Sequence, residues 1–213
     1  MPVTLANNAL FADLTLVKEQ LKIASGESSH DDYLKMLINS VSSACESMLK
    51  VPEGNIIYKG YIKKREVANE VIFMDSGRLI ETICYPVVSV TKVEYTSDWT
   101  TYTDYLSPYV KINDFQIQLI NDYIKEVAGA SRLTYKAGYE TIPDDILLIA
   151  LEMMQRKYDE SGLSGNRQLG LTSMNASGEG STSINFTKLE DRWIEGMRPY
   201  KKVITGRSLS LSR

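Results

Sequence analysis

The stretch from Leu133 to Leu147 constrains the fold of this chain more than any other. Leu133, Tyr135 and Ala137 alternate with polar neighbours, the period of a strand with one buried face. Gly138 breaks that strand. Pro143 then precedes Asp144 and Asp145. Proline fits the first turn of a helix, and carboxylates there lie at the positive end of the helix dipole. Ile146, Ile149, Ala150, Met153, Met154 and Tyr158 share one face of the helix that follows. A half-buried strand is therefore joined to a buried helix by a tight connection, so the chain must combine both kinds of element around a core.

The rest of the chain fills in that frame. A short helix is predicted over Thr15 to Ile23, with Leu16, Leu21 and Ile23 as its apolar positions. Asp31 or Asp32 caps the next helix by accepting from free backbone amides. Leu34, Leu37, Ile38, Val41, Cys45 and Met48 recur there at helical spacing down to Lys50, and Pro52 and Gly54 end it. Residues 56–136 read mostly as strand, with branched and aromatic runs at Ile57 to Tyr61, Val71 to Met74, Val87 to Tyr95, Tyr109 to Ile112 and Phe115 to Ile120. Asp75-Ser-Gly and Asn113-Asp114 are predicted hairpin turns.

Beyond the long helix the composition changes. From Glu160 to Ser183 glycines fall at 162, 165, 170, 178 and 180, with almost no aromatic content. Such a segment buries too little surface to offset its ordering entropy, so a mobile arm or loop is predicted. Thr187-Lys-Leu-Glu190 has the pattern of a capping box, reopening a helix with Leu189, Trp193, Ile194 and Met197 on one side. Pro199 closes that helix. Residues 198–213 then carry Arg198, Lys201, Lys202, Arg207 and Arg213 and no acid.

Charge limits what the chain can bind. A net charge of -3 over 213 residues does not suit a general nucleic-acid binder. Two cysteines, Cys45 and Cys84, lie in different predicted elements and read as buried thiols of a protein made in a reducing compartment. Met-Pro-Val-Thr-Leu-Ala has no basic region followed by an apolar core, so no signal peptide is expected. Nor is there an apolar run long enough for a transmembrane helix.

The string LTYKAGYETIPDDILLIALEMMQRKY resembles the signature of tailed-bacteriophage head-tail connector (neck adaptor, head completion) proteins, in which "Y-x-x-G-Y-x-x-I-P-x-D-[LI]" leads into a long core helix. The opening of the chain is similar to that family at Leu14, Lys18, Leu21, Ile23, Asp31, Asp32, Leu34, Ile38 and Met48, with Ser42 where alanine is usual. Tyr85-Pro86-Val87-Val88-Ser89-Val90 looks like the family's "P-[VI]-x-S-V" strand. These matches span about residues 14–160. The resemblance implies a homo-oligomeric ring under the portal, commonly of twelve copies. Such a ring extends the DNA channel and receives the tail or its adaptors, and its C-terminal segment reaches along the portal.

Enzymatic chemistry finds little to build on. Gly165-Asn-Arg-Gln-Leu-Gly170-Leu-Thr approaches a phosphate-binding loop, but Leu171 stands where the lysine is needed, and the loop follows a helix instead of a strand. Asp144 with Asp145, and Asp31 with Asp32, are sequence neighbours, which do not face each other on a helix, so neither pair forms an acid–base dyad. His30, the sole histidine, and two distant cysteines fall short of a zinc set. No cofactor, metal or catalytic residue is expected.

The expectation is an α+β protein: a small helical core packed with an antiparallel β region, a flexible Gly/Ser-rich arm, and a C-terminal helix plus basic tail. Residues 1–159 would be the connector core, 160–183 the arm, and 184–213 the helix and basic extension. The arm would contact a neighbouring subunit or the tail. Arg198, Tyr200, Lys201, Lys202, Arg207, Leu209 and Leu211 are the expected portal-binding residues. DNA would pass through the ring without sequence-specific binding, past a net negative wall that keeps it from adhering. The expected location is the virion neck, between head and tail, with no membrane contact. The alternative is a DNA-binding accessory protein of head completion or packaging, resting on the same basic tail.

Overall fold

The computed structural model describes residues 2–53, 55–72, 79–96, 100–105, 108–120, 131–163, 173–175 and 183–202. In chain order the first elements are α1 (Thr15–Gln20), α2 (Asp31–Met48), β1 (Val51–Glu53), β2 (Ile56–Gly60), β3 (Arg65–Ile72), β4 (Leu79–Glu81), β5 (Cys84–Tyr85) and β6 (Val87–Tyr95). There follow β7 (Thr103–Asp104), β8 (Tyr109–Asn113), β9 (Gln116–Leu119), β10 (Ser131–Ala137) and α3 (Asp144–Glu160). β11 (Ser173–Asn175), β12 (Ser183–Asn185), α4 (Phe186–Met197) and a 3-10 turn (Arg198–Tyr200) complete the series. The expected α+β class is met. The chain divides into two compact units, one of residues 1–48, 62–64 and 138–199, the other of residues 49–61, 65–137 and 200–213.

The first unit is helical. Leu34, Leu37, Ile38, Val41 and Cys45 of α2 are buried, as are Ile146, Ala150, Met153, Met154 and Tyr158 of α3, so both predicted apolar faces are core faces. Cys45 Sγ lies 3.8 Å from Met153 Sδ. Trp193 and Met197 of α4 are buried, but Ile194, expected beside them, is exposed. Trp193 and Met197 are four residues apart and share a face; Ile194 is turned about 100° from Trp193. α4 opens at Phe186, one residue before the expected Thr187 cap, directly after β12.

α1 ends at Gln20, earlier than its apolar pattern suggests. Lys22 adopts φ 57°, and the amides of Lys22 and Ile23 turn back to the carbonyls of Glu19 and Lys18 at 3.1 and 2.8 Å. This is a Schellman ending with lysine in glycine's usual place, which hides the stop from a sequence reading. Ser42, the departure from alanine, is also engaged. Its hydroxyl donates to the Ile38 carbonyl at 2.7 Å and accepts from the Leu10 amide at 3.0 Å, tying the N-terminal segment to α2.

The second unit is built of strands. Its main sheet has the order β3-β10-β6-β7, with β10 antiparallel to both neighbours. Leu133, Tyr135 and Ala137 of β10 are fully buried, as their alternation predicts. β3 is longer than the expected Val71 to Met74 and begins at Arg65. Its Arg, Glu and Asn content masks it in sequence, yet charge suits a strand at the edge of a sheet. Ala68 and Asn69 face the single residue Thr134 across a bulge. Asn69 has φ 54°, and its amide reaches Thr134 Oγ1 at 3.2 Å.

The other sheets of this unit have orders β1-β2-β5 and β4-β9-β8. β8 and β9 form the hairpin expected at Asn113-Asp114, where the Phe115 amide donates to Asn113 Oδ1 at 3.0 Å. The expected Asp75-Ser-Gly turn lies outside the described residues. In the first unit, part of the segment expected as a mobile arm pairs: Ser173 stands opposite Asn185, Met174 opposite Ile184 and Asn175 opposite Ser183.

Gly138, the break after β10, has φ 114°, and a Cβ there would lie 2.6 Å from the Lys63 carbonyl oxygen and 2.7 Å from Lys64 Cα. Backbone atoms block the site, so no side-chain shift relieves the clash. The approach aligns Tyr139 with Lys63 in a parallel bridge, and the Tyr139 amide reaches the Ile62 carbonyl at 3.0 Å. Gly138→Ala should therefore lower unfolding free energy by about 3 kcal/mol or more in urea titration. Gly162→Ala, where φ is 76° but nothing lies within 4 Å, should cost only about 1 kcal/mol.

Candidate assembly surface

The residues with chemical potential are mostly occupied in structure. His30 Nδ1 lies 3.2 Å from the Tyr158 hydroxyl. Lys18 and Asp31, both in the connector-like opening motif, meet at 2.6 Å, with Lys18 also donating to the Glu27 carbonyl. Asp32 accepts from the Val3 amide at 3.2 Å. The paired acids thus split their duties between a half-buried ion pair and a tether. Asp144 and Asp145 are exposed in the first turn of α3. Among the described residues no three His, Cys, Asp or Glu side chains gather in a way that could hold a metal ion. Residues 165–172, the phosphate-loop-like stretch, lie outside the described residues.

Cys45 and Cys84 are free and buried. Burial pushes the Cys45 thiol up to about 12, and burial likewise raises Cys84. Nucleophilic thiolates need the opposite, a lowered pKa.

One buried polar cluster lies in the strand unit. The Tyr135 hydroxyl donates to Glu70 Oε2 at 2.8 Å and accepts from the Cys84 amide at 3.0 Å, with the Cys84 carbonyl at 3.1 Å. Glu70 Oε1 accepts from the Ile83 amide at 2.9 Å. Burial raises the Glu70 carboxyl above its ordinary value, against the opposing effect of these donors. Burial, with the charge of Glu70, also holds the Tyr135 phenol well above its usual range. The cluster ties strands together.

The expected portal-binding residues separate into four groups. Arg198 is exposed and lies 3.4 Å from Glu195. Tyr200 and Lys201 are half-buried. Lys202 is different: its side chain is 1% exposed, pairs with Glu81, and sits 3.1 Å from the centroid of the Tyr58 ring and 4.9 Å from that of Phe115. Arg207, Leu209 and Leu211 lie outside the described residues. The partners of Lys202 escaped the sequence reading because β4, which carries Glu81, is three residues long and too short to show a period.

Other cations are likewise paired. Lys92 lies 3.0 Å from Glu94 and 2.9 Å from Asp104, and Arg132 lies 3.2 Å from Glu94. Arg156 reaches Glu160 at 2.8 Å, while Lys64 pairs with Glu140 and Arg192 with Glu152. The apolar surface left open includes Val110 and Ile112 on β8, a strand at the edge of its sheet, and Ile120 just after β9.

No protein-family model matches this chain, and no curated protein does. Solved structures do. The chain is similar to a chain from the neck of an empty GTA particle computed with C6 symmetry, with a TM-score of 0.55 and 14% identity over 97% of this chain and 98% of that one. Against a chain from the neck of a native GTA particle computed with C12 symmetry the TM-score is 0.53, again at 14% identity and over 97% and 98%. A chain from the virion of the native gene transfer agent (GTA) particle gives 0.51 at 14% identity, covering 97% of each. The fold is thus that of chains found in virion necks, along nearly the whole length of both partners. The connector resemblance read from the sequence is borne out at the level of fold.

Two measurements test the site chemistry. A thiol reagent at pH 8 should leave the native protein essentially unlabelled and modify both cysteines once denaturant is added. For Glu70 the sign follows from its raised value: the folded state holds its proton more tightly than the unfolded one. The stability this contributes is complete below the ordinary carboxyl value of 4.5 and is lost as pH rises through the raised folded value. The stability difference between wild type and Glu70→Gln, measured by urea titration, should shift against wild type across that window. A flat difference would contradict the burial argument.

Proposed function

We propose that this protein is a structural component of a phage-type virion neck. It acts as an oligomeric head-tail connector that docks on the portal, extends the DNA channel and presents the surface to which the tail or its adaptors attach. The observation that carries the reading is the shared fold with neck chains across 97% of this chain and 98% of the comparison chain. The order of sequence motifs from Leu14 to Tyr158 supports it independently of the backbone comparison.

Assembly, not catalysis, is the mechanism. Copies gather in a closed ring, twelve by the connector resemblance, because repeated docking on a symmetric portal raises the effective concentration of each contact. The exposed Val110, Ile112 and edge of β8 suit burial against another chain, since such an edge left in water invites pairing. The C-terminal segment supplies the portal contact, with Arg198, Tyr200 and Lys201 followed by Arg207, Leu209 and Leu211. The pairing of so many cations with acids disfavours the rival reading of a DNA-binding accessory protein, which needs unpaired lysine and arginine for phosphates. DNA passes through the ring without sequence-specific contact. Among the described residues no helix is long and apolar enough to cross a membrane, and the reading needs none.

The test is electron microscopy of particles from a phage carrying a null mutation in this gene. DNA-filled or leaking heads without tails, restored by adding the purified protein, are the expected result. Normal tailed particles would contradict it.

A further inference from the structure

We infer that Lys202 is a clamp for the root of the C-terminal extension, a positioning residue and not itself a portal contact. The inference rests on the portal-docking reading above and assigns one of its expected contact residues a different task.

Within the strand unit, Lys202 is held at two points. Its ammonium, 1% exposed at the side chain, pairs with Glu81 of β4. The same nitrogen lies 3.1 Å from the Tyr58 ring centroid and 4.9 Å from that of Phe115, so two aromatic faces line its site. The second point is the backbone, which hydrogen-bonds to the Tyr85 side chain. That hydroxyl also donates to the Leu49 carbonyl. Tyr58, Glu81, Tyr85 and Phe115 come from β2, β4, β5 and the β8–β9 turn, so one lysine gathers four separate pieces of the unit.

A surface lysine does none of this. A long cationic side chain is buried only when its charge is matched, and an apolar residue would fill the same space without needing Glu81. What the charge adds is register. Of the closely spaced cations Arg198, Lys201 and Lys202, Lys202 is the one seated beside Glu81, so the chain is held to the strand unit at one fixed residue. The eleven residues that follow, carrying Arg207, Leu209 and Leu211, then start from a fixed point. A tether anchored this way loses less freedom on docking than one that begins loosely at Pro199.

The test uses the full chain with a single added cysteine, Thr205→Cys, labelled with a fluorophore. Cys45 and Cys84 stay silent because both are buried with raised thiol values. Lys202→Met keeps the bulk of the side chain and removes the charge; Glu81→Gln keeps the shape of the partner and covers the case in which Lys202→Met fails to fold. In variants that retain a cooperative thermal transition, fluorescence anisotropy at position 205 should fall, and affinity for purified portal rings should drop about tenfold. Deleting residues 203–213 should abolish portal binding. Unchanged anisotropy in the folded variants would overturn the clamp, as would full portal affinity in them when the deletion abolishes it. If the deletion leaves portal binding intact, the docking reading fails, and the anisotropy alone decides the clamp.

Discussion

The strand unit depends on one buried hydroxyl. Tyr135 sits in the middle of β10, the strand paired on both sides in the main sheet, and its oxygen reaches Glu70 on β3 and the backbone of Cys84 on β5. β5 belongs to a different sheet, and Glu70 in turn holds the amide of Ile83 just before it. A single phenol thus links the four-stranded sheet to the sheet of β1, β2 and β5. Such a group is costly to bury unless satisfied, so the cluster stabilises one arrangement of strands and penalises others. Protonation of Glu70 would complete the circuit, because Glu70 could then donate to Tyr135 and release its hydrogen to the Cys84 carbonyl.

Tyr135 is also the first tyrosine of the connector-like signature, and Gly138 is its glycine. Their roles are packing and backbone geometry, not chemistry. In this chain the signature supplies a buried phenol in the sheet and a residue without a Cβ where the backbone passes Lys63 and Lys64.

Much of this was legible in the sequence, for physical reasons that also mark its limits. α2, α3 and β10 bury one face over several residues, so their period stands out, while β6 and the β8–β9 hairpin stand out by branched and aromatic content and by the Asn113-Asp114 turn. β3 escaped because an edge strand tolerates charge, and β4 and β5 because two or three residues carry no period. The end of α1 escaped because Lys22 occupies a position that usually takes glycine. The basic tail was legible as a cluster of charge, but not that Lys202 turns inward. Its partners come from elements far away in sequence, and Glu81 lies on a strand the pattern does not reveal.

The fold therefore joins a helical unit stitched to its own N-terminal segment with a strand unit that holds the root of the C-terminal extension. On the proposed connector reading, binding energy comes from surfaces that meet only on assembly, and the apolar residues of the β8 edge and the cations of the C-terminal segment would serve that end. Cryo-electron microscopy of intact particles, averaged about the neck, tests the central claim most directly. The account predicts a closed ring of copies of this chain between portal and tail, with each C-terminal segment running toward the portal. A neck filled by other proteins, with this chain elsewhere in the particle or missing from it, would contradict it.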